Sequence, residues 1–239
     1  MTKIRVVPEA RAMDVTRIVG NVVVVIDTLR ATTSIPYAIA RGAVVEPVRS
    51  IAEARRARGG RRVRIAGERG GRRLPGFDFG NSPVELSEAE LAGFRLVLTT
   101  TNGTGAVARS AGAKAIYAGA IVNAGAIARA VAPRLGPAEL VLVCAGRTTG
   151  VALEDLVGAG AIIDALLPGE QDPHGLTDGA RLSLELFRRE RARVHAFLLE
   201  CESGRNLVRL GAEADVACCA KLDALDVAPV LTRGRFSAG

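Results

Sequence analysis

The sequence predicts an α/β fold, a three-layer α/β/α arrangement around a mostly parallel sheet with a helical C-terminal region. Two observations lead there. Strand-like runs at residues 22–26, 44–48, 63–66, 96–100, 115–118 and 140–144 alternate with helical stretches at 33–41, 51–57, 103–111, 124–135 and 153–167; strand and helix in alternation imply parallel strands joined by crossover helices. The first run, Val22-Val23-Val24-Val25-Ile26, is apolar at every position rather than at every second one. A strand of that kind is covered on both faces.

Beyond these elements, residues 169–174 are rich in Pro, Gly and acids and read as a loop. Residues 176–210 then read as almost wholly helical, with Leu184, Phe187, Arg191, Val194 and Leu198 at helical spacing. The tail, at 214–219 and 227–231, reads as one or two strands or as a helix and a strand. The organisation expected is an α/β catalytic body at 1–168, a helical cover at 169–212 and a tail at 213–239 that returns to the body, with all three within reach of a single domain.

Composition narrows the function classes. A chain of 239 residues buries a full core. No stretch has the length of uncharged apolar sequence that a membrane span needs, and the N-terminus lacks an apolar signal core, so no membrane partner and a cytoplasmic location are expected. The cysteines Cys144, Cys201, Cys218 and Cys219 show no Cys-x-x-Cys spacing and are expected reduced and buried. The net charge of +7 is almost entirely arginine, concentrated at 55–64 and 69–73. An arginine-rich RNA-binding protein is the alternative this raises, but aromatics are only 3% of the chain and base-stacking platforms are scarce, so no nucleic-acid partner is expected. Oligomeric state is left open, a homo-oligomer included.

The chemistry-bearing residues gather where strands end. Asp27 closes the valine run, Arg30 follows, and Thr32 and Thr33 are placed to cap the next helix. In open α/β sheets the crevice beyond the strand ends is where ligands bind. Glu68 and Arg69 follow the strand at 63–66 and repeat the pairing of acid and cation. Gly76-Phe77-Asp78-Phe79-Gly80-Asn81-Ser82-Pro83 forms a rigid turn with Asp78 as a further acid, and Ser82-Pro83 suits a helix start. Thr99-Thr100-Thr101-Asn102-Gly103-Thr104 opens a small-residue helix whose free N–H groups and hydroxyls suit an anion. The same stretch holds a Gly103-x-Gly105-x-x-Ala108 pattern, which raises a dinucleotide-binding oxidoreductase; Asn123 stands where its ribose-binding acid would fall, which weakens that alternative. After the last clear strand come Cys144-Ala145-Gly146-Arg147-Thr148-Thr149-Gly150 and then Glu154-Asp155 on a first helical turn, where acids also suit the helix dipole. Neither His174 nor His195 lies in a motif that would make it a catalytic base.

Together, Asp27-x-Leu29-Arg30-Ala31-Thr32-Thr33, Ala66-Gly67-Glu68-Arg69-x-Gly71, Gly76-Phe77-Asp78-x-Gly80-Asn81-Ser82-Pro83, Thr99-Thr100-Thr101-Asn102-Gly103-Thr104, Cys144-Ala145-Gly146 and Glu154-Asp155 closely resemble the 2-phosphosulfolactate phosphatase family. The resemblance covers 22–164 in order and, more loosely, 204–229. It implies a magnesium-dependent acid phosphatase that converts 2-phospho-3-sulfolactate to 3-sulfolactate and phosphate on the route to coenzyme M. A small multiply anionic phosphate ester needs several cations and N–H donors in one crevice. Arg30, Arg69, Arg147 and the Asn102–Thr104 helix start supply them, with Asn81 and Thr101 beside them. Two or three carboxylates from Asp27, Glu68, Asp78, Glu154 and Asp155 suffice for Mg2+, which keeps some of its waters. On this reading the catalytic group is Asp27, Arg30 and Glu68. Asp27 is either a metal ligand or a nucleophile; enzymes that phosphorylate an Asp usually carry a second Asp two residues on, where Leu29 stands, which favours water as the nucleophile.

Overall fold

The computed structural model describes residues 3–169 and 175–239. Its chain order is β1 (Ile4–Val7), β2 (Val22–Ile26), α1 (Ala31–Ala40), β3 (Val44–Pro47), α2 (Ile51–Ala57), β4 (Val63–Arg69), β5 (Arg72–Arg73), α3 (Pro83–Glu88), β6 (Arg95–Thr99) and α4 (Gly103–Arg109). Then follow β7 (Ala115–Gly119), α5 (Ala124–Val131), β8 (Leu140–Cys144), α6 (Leu153–Leu166), α7 (Asp178–Glu190), α8 (Val194–Glu200), α9 (Glu202–Arg209), α10 (Glu213–Cys219), β9 (Pro229–Thr232) and β10 (Arg235–Ala238). The alternation read from the sequence is present element by element. The short strands β1 and β5 lie outside it, because runs of four and two residues give too little periodicity to read. Most of the loop expected at 169–174 lies outside the described residues.

The ten strands form one sheet in the order β1-β8-β2-β7-β9-β10-β3-β6-β4-β5. Two parallel blocks are visible in it, β1-β8-β2-β7 and β3-β6-β4. The C-terminal hairpin β9-β10 joins them, antiparallel to both neighbours, through Tyr117↔Val230 on one side and Phe236↔Val45 on the other. The tail therefore resolves into a helix, α10, followed by two strands that complete the sheet from within. Val227 is tied down on the way: the Asn123 side chain donates to its carbonyl at 2.9 Å.

All five residues of β2 are buried, and their side chains alternate between two cores. Val22, Val24 and Ile26 pack with residues of α5, α6 and α7, whereas Val23 and Val25 pack with Ile35, Ala38 and Ile39 of α1 and Val107 of α4. Each such side chain contributes about 1.5–3 kcal/mol relative to full exposure, which pins the strand's register and with it the position of Asp27. A smaller cluster of Ala54, Ile65, Phe77 and Val97 seats α2 on the second block. The region expected to be almost wholly helical is broken into α7, α8 and α9. Close packing at Gly204 accounts for the last break: a Cβ there would lie 1.8 Å from the Leu198 carbonyl oxygen. All four cysteines are free and buried.

Candidate active site

The carboxyl ends of β2, β4, β6 and β8 converge on a cavity of about 170 Å3. Asp27, Arg30, Glu68, Asn81, Thr101, Asn102, Arg147, Glu154 and Asp155 line it, so nine of the residues singled out from sequence meet in one place. Arg69, Asp78, Gly103 and Thr104 do not line it.

Each exception has a local cause. β4 runs on through Arg69, and consecutive residues of a strand point to opposite faces, so turning Glu68 inward turns Arg69 away. The Arg69 guanidinium donates to the Glu68 carbonyl at 2.6 Å and to Thr99 Oγ1 at 3.1 Å. Asp78 completes the strand ladder, its Oδ2 accepting from Ile65 N–H at 2.8 Å. Thr104 and Thr100 clasp one another: Thr104 N–H donates to Thr100 Oγ1 at 3.1 Å, and Thr100 N–H donates to Thr104 Oγ1 at 3.3 Å. Gly103 acts by what it lacks. A Cβ there would stand 2.6 Å from Asp27 Oδ2 and 2.7 Å from the Ala31 Cβ, so glycine is what lets α4 approach Asp27.

The turn after β2 is held differently from the expected hydroxyl cap. Asp27 Oδ1 accepts from Ala31 N–H at 3.2 Å, the first amide of α1, while Thr32 Oγ1 accepts from Asp27 N–H at 2.8 Å and Thr33 Oγ1 donates to the Thr28 carbonyl at 2.9 Å. The acid itself meets the helix start, and the threonines bind the turn back on itself.

The four lining carboxylates are not equivalent. Both oxygens of Glu68 are occupied, Oε2 by Gly71 N–H at 2.8 Å and Oε1 by Thr101 N–H at 2.7 Å and its hydroxyl at 2.9 Å. Glu68 thus clips two loops together. Asp155 likewise accepts from Thr28 N–H at 2.9 Å through Oδ1 and from Gly146 N–H at 3.0 Å through Oδ2. Burial, then the charges of Asp27 and Glu154, hold the Asp155 carboxyl well above the ordinary range. Asp27 is pushed up to about 7, first by loss of hydration; the Ala31 N–H opposes this, and Glu68 and Glu154 add to it. Glu154 is buried beside Cys201, whose thiol is pushed up to about 12 by its own burial and by that carboxylate.

This crowding of negative charge is set against Arg30 and Arg147. The donor set is entirely of hard oxygens, and two side-chain carbonyl oxygens among the cavity residues, Asn81 Oδ1 and Asn102 Oδ1, are buried without a partner among the described residues. Among those residues no three acidic, histidine or cysteine groups form a closed metal cage. A divalent cation that retains waters and takes oxygens from a substrate needs no such cage. Asp27, Glu154 and the two asparagine oxygens fit it.

Several contributors come from parts of the chain where the sequence carried no signal. Asp215 on α10 pairs with Arg30, and Ser203, Asn206 and Leu207 of α9 line the cavity. Arg147 donates to Ser203 Oγ and to Glu202 Oε1, both at 2.6 Å, and Asn206 donates to the Gly70 carbonyl at 3.3 Å. Of these positions, Asn206, Leu207 and Asp215 fall within the looser resemblance over 204–229, which named no residue there, and Glu202 and Ser203 fall outside it. The arginine-rich run is in part spent internally: Arg58 donates to the Gly76 carbonyl, Arg64 stacks on Phe94 and Arg73 pairs with Glu85.

The chain is similar to known proteins along most of its length. The family model described as 2-phosphosulpholactate phosphatase matches residues 9–234. A protein of Symbiobacterium thermophilum is 42% identical over 220 residues, covering 90% of this chain and 93% of its own. One of Carboxydothermus hydrogenoformans is 42% identical over 212 residues, covering 87% and 84%, and one of Deinococcus radiodurans is 40% identical over 222 residues, covering 90% and 89%. All three carry the name probable 2-phosphosulfolactate phosphatase.

Proposed function

This chain belongs to the 2-phosphosulfolactate phosphatase family, and we propose that it hydrolyses 2-phospho-3-sulfolactate to 3-sulfolactate and phosphate, with Mg2+ as cofactor, as a step towards coenzyme M. The observation that carries the reading is the convergence of Asp27, Glu154, Arg30 and Arg147 on one cavity at the strand ends. Glu154 and the side-chain oxygens of Asn81 and Asn102 would hold the ion, with Asp27 beside them. Bound there, Mg2+ would supply positive charge to offset the negative charge of the transferring phosphoryl group.

The chain's own residues do the rest. Arg30 grips the phosphoryl oxygens with a planar fork, and Arg147 exchanges Glu202 for the sulfonate or carboxylate of the substrate. Asp27 faces the attacking water and takes its proton at Oδ2 as the water oxygen bonds to phosphorus; the ester P–O bond breaks, and that proton passes to the leaving alkoxide to give the hydroxyl of 3-sulfolactate. Glu68 does no proton transfer; it fixes the Gly71 and Thr101 amides, and with them the rim of the cavity. Leu207 on α9 closes one wall against solvent.

Phosphate release from 2-phospho-3-sulfolactate, measured beside 2-phospholactate and simple alkyl phosphates, tests the substrate. The expected order is a clear preference for the sulfonated ester, and equal rates across the panel would refute sulfonate recognition. A single turnover in oxygen-18 water with enzyme in excess tests the nucleophile. Label in the released phosphate is expected; unlabelled phosphate would make Asp27 the nucleophile instead.

A further inference from the structure

Arg30 must grip an anion, yet it faces a cavity that also contains Asp27, Glu68, Glu154 and Asp155. A free guanidinium in such surroundings would collapse onto those carboxylates and lose its function. Among the described residues, none of its hydrogen bonds or ion pairs goes to any of the four. Its Nη1 donates instead to Asp215 Oδ2, and its Nη2 to the Gly71 carbonyl at 2.7 Å. The second oxygen of Asp215 accepts from Ser82 Oγ at 2.5 Å, and Ser82 also caps α3 by accepting from Glu85 N–H at 3.1 Å. The pair is almost closed to water, with side-chain exposures of 6% for Arg30 and 5% for Asp215.

From this geometry, and on the phosphatase reading of the site, we propose that Asp215 is the positioning residue that holds the Arg30 guanidinium towards the phosphoryl group and away from the cavity carboxylates. Two N–H groups of Arg30 are committed to Asp215 and Gly71, which fixes the plane of the fork and leaves its remaining donors for substrate. Asp215 lies on α10, immediately before the hairpin that joins the two blocks of the sheet. A buried ion pair adds little net stability once desolvation is counted, so the geometry points to orientation of the guanidinium and not to stability.

The test compares Asp215→Asn, Asp215→Glu, Ser82→Ala, Arg30→Met and the double variant Arg30→Met with Asp215→Asn. Steady-state kinetics on 2-phospho-3-sulfolactate are read beside the Kd for inorganic phosphate and the thermal melt of each protein. Asp215→Asn is expected to lower kcat/KM by about 100-fold, as expected for a misaimed catalytic group. The loss should fall mainly on KM, with partial rescue in Asp215→Glu. Ser82→Ala is expected to cost roughly 2- to 10-fold, the worth of one hydrogen bond, and it reads the same relay where Asp215→Asn does not fold. The double variant should be no worse than Arg30→Met alone. Additive losses in the double variant, or kcat/KM within twofold of wild type in both a folded Asp215→Asn and Ser82→Ala, would overturn the proposal. If the wild type releases no phosphate, the substrate reading fails, while weaker phosphate binding in Asp215→Asn that vanishes in the Arg30→Met background still supports the positioning role.

Discussion

Asp27→Asn separates the electrostatic cost of the site from its use. In the metal-free protein, ionised Asp27 is unfavourable because burial removes its hydration and Glu68 and Glu154 stand nearby. The rise from an ordinary value of 3.8 to about 7 corresponds to about 4 kcal/mol held against the charged form. Asparagine removes that charge and still offers Oδ1 to Ala31 N–H. Its amide group, however, faces Gly103 and leaves one backbone donor poorly met, a loss of about 1 kcal/mol. A net gain of about 2–3 kcal/mol follows above pH 7, equivalent to roughly 5–10 °C in Tm for a chain of this size. The sign with pH is definite. Between about 4 and about 7 the folded wild type binds a proton at Asp27 that the unfolded chain has released, so its stability falls as pH rises through that window. The variant lacks this loss, so it starts about 1 kcal/mol less stable than wild type near pH 4, where only the poorly met donor counts, and reaches its full advantage near pH 8. Thermal melts in EDTA across pH 4–8, with activity measured in parallel, give the answer. A more stable and inactive variant is expected. A Tm difference that does not change with pH, or a variant less stable at pH 8, would refute the reasoning.

Three further expectations concern other parts of the molecule. Gly103→Ala forces a Cβ against Asp27 Oδ2 and should lower kcat/KM by about 100-fold at a cost of about 1–3 kcal/mol, whereas Gly105→Ala in the same helix, with nothing within 4 Å of its added Cβ, should leave activity within about twofold. Mg2+ is expected to raise the Tm of the wild type, and Glu154→Gln should abolish that rise, read by titrating the metal in a thermal melt; an undiminished rise would place the ion elsewhere. Burial raises Glu139, but Arg5 and Lys3 outweigh it and hold its carboxyl below the ordinary value. Its contribution to stability is therefore present above the unfolded value of about 4.5 and is lost as pH falls through the lower folded one. Glu139→Gln should flatten the fall in stability below about pH 4.5 read by urea unfolding.

The residues legible in the sequence were those whose position follows from a strand ending. Asp27, Glu68, Thr101, Asn102 and Arg147 each lie just beyond an apolar run, Glu154 and Asp155 lie on the first turn of the helix that follows the last such run, and a parallel arrangement within each block brings these ends together. Arg69 shows the limit of that reasoning. Its inclusion required β4 to end at residue 66, and the strand's continuation to Arg69 reverses the side-chain direction. Asp78 misled for a related reason, because an acid in a glycine-rich turn serves a strand edge as readily as a ligand. Asp215, Ser203 and Asn206 were not legible, since they reach the cavity through tertiary packing of α9 and α10 and belong to no strand end. The central place of β9 and β10 was hidden likewise: local periodicity suggests a strand, but only pairing with β7 and β3 determines where in the sheet it lies.

The most direct test of the account is phosphate release from 2-phospho-3-sulfolactate by the full chain, measured with Mg2+, after EDTA, and after Mg2+ is restored in excess. Release that EDTA abolishes and Mg2+ restores is expected. Absence of release under all three conditions, or release indifferent to the chelator, would contradict it.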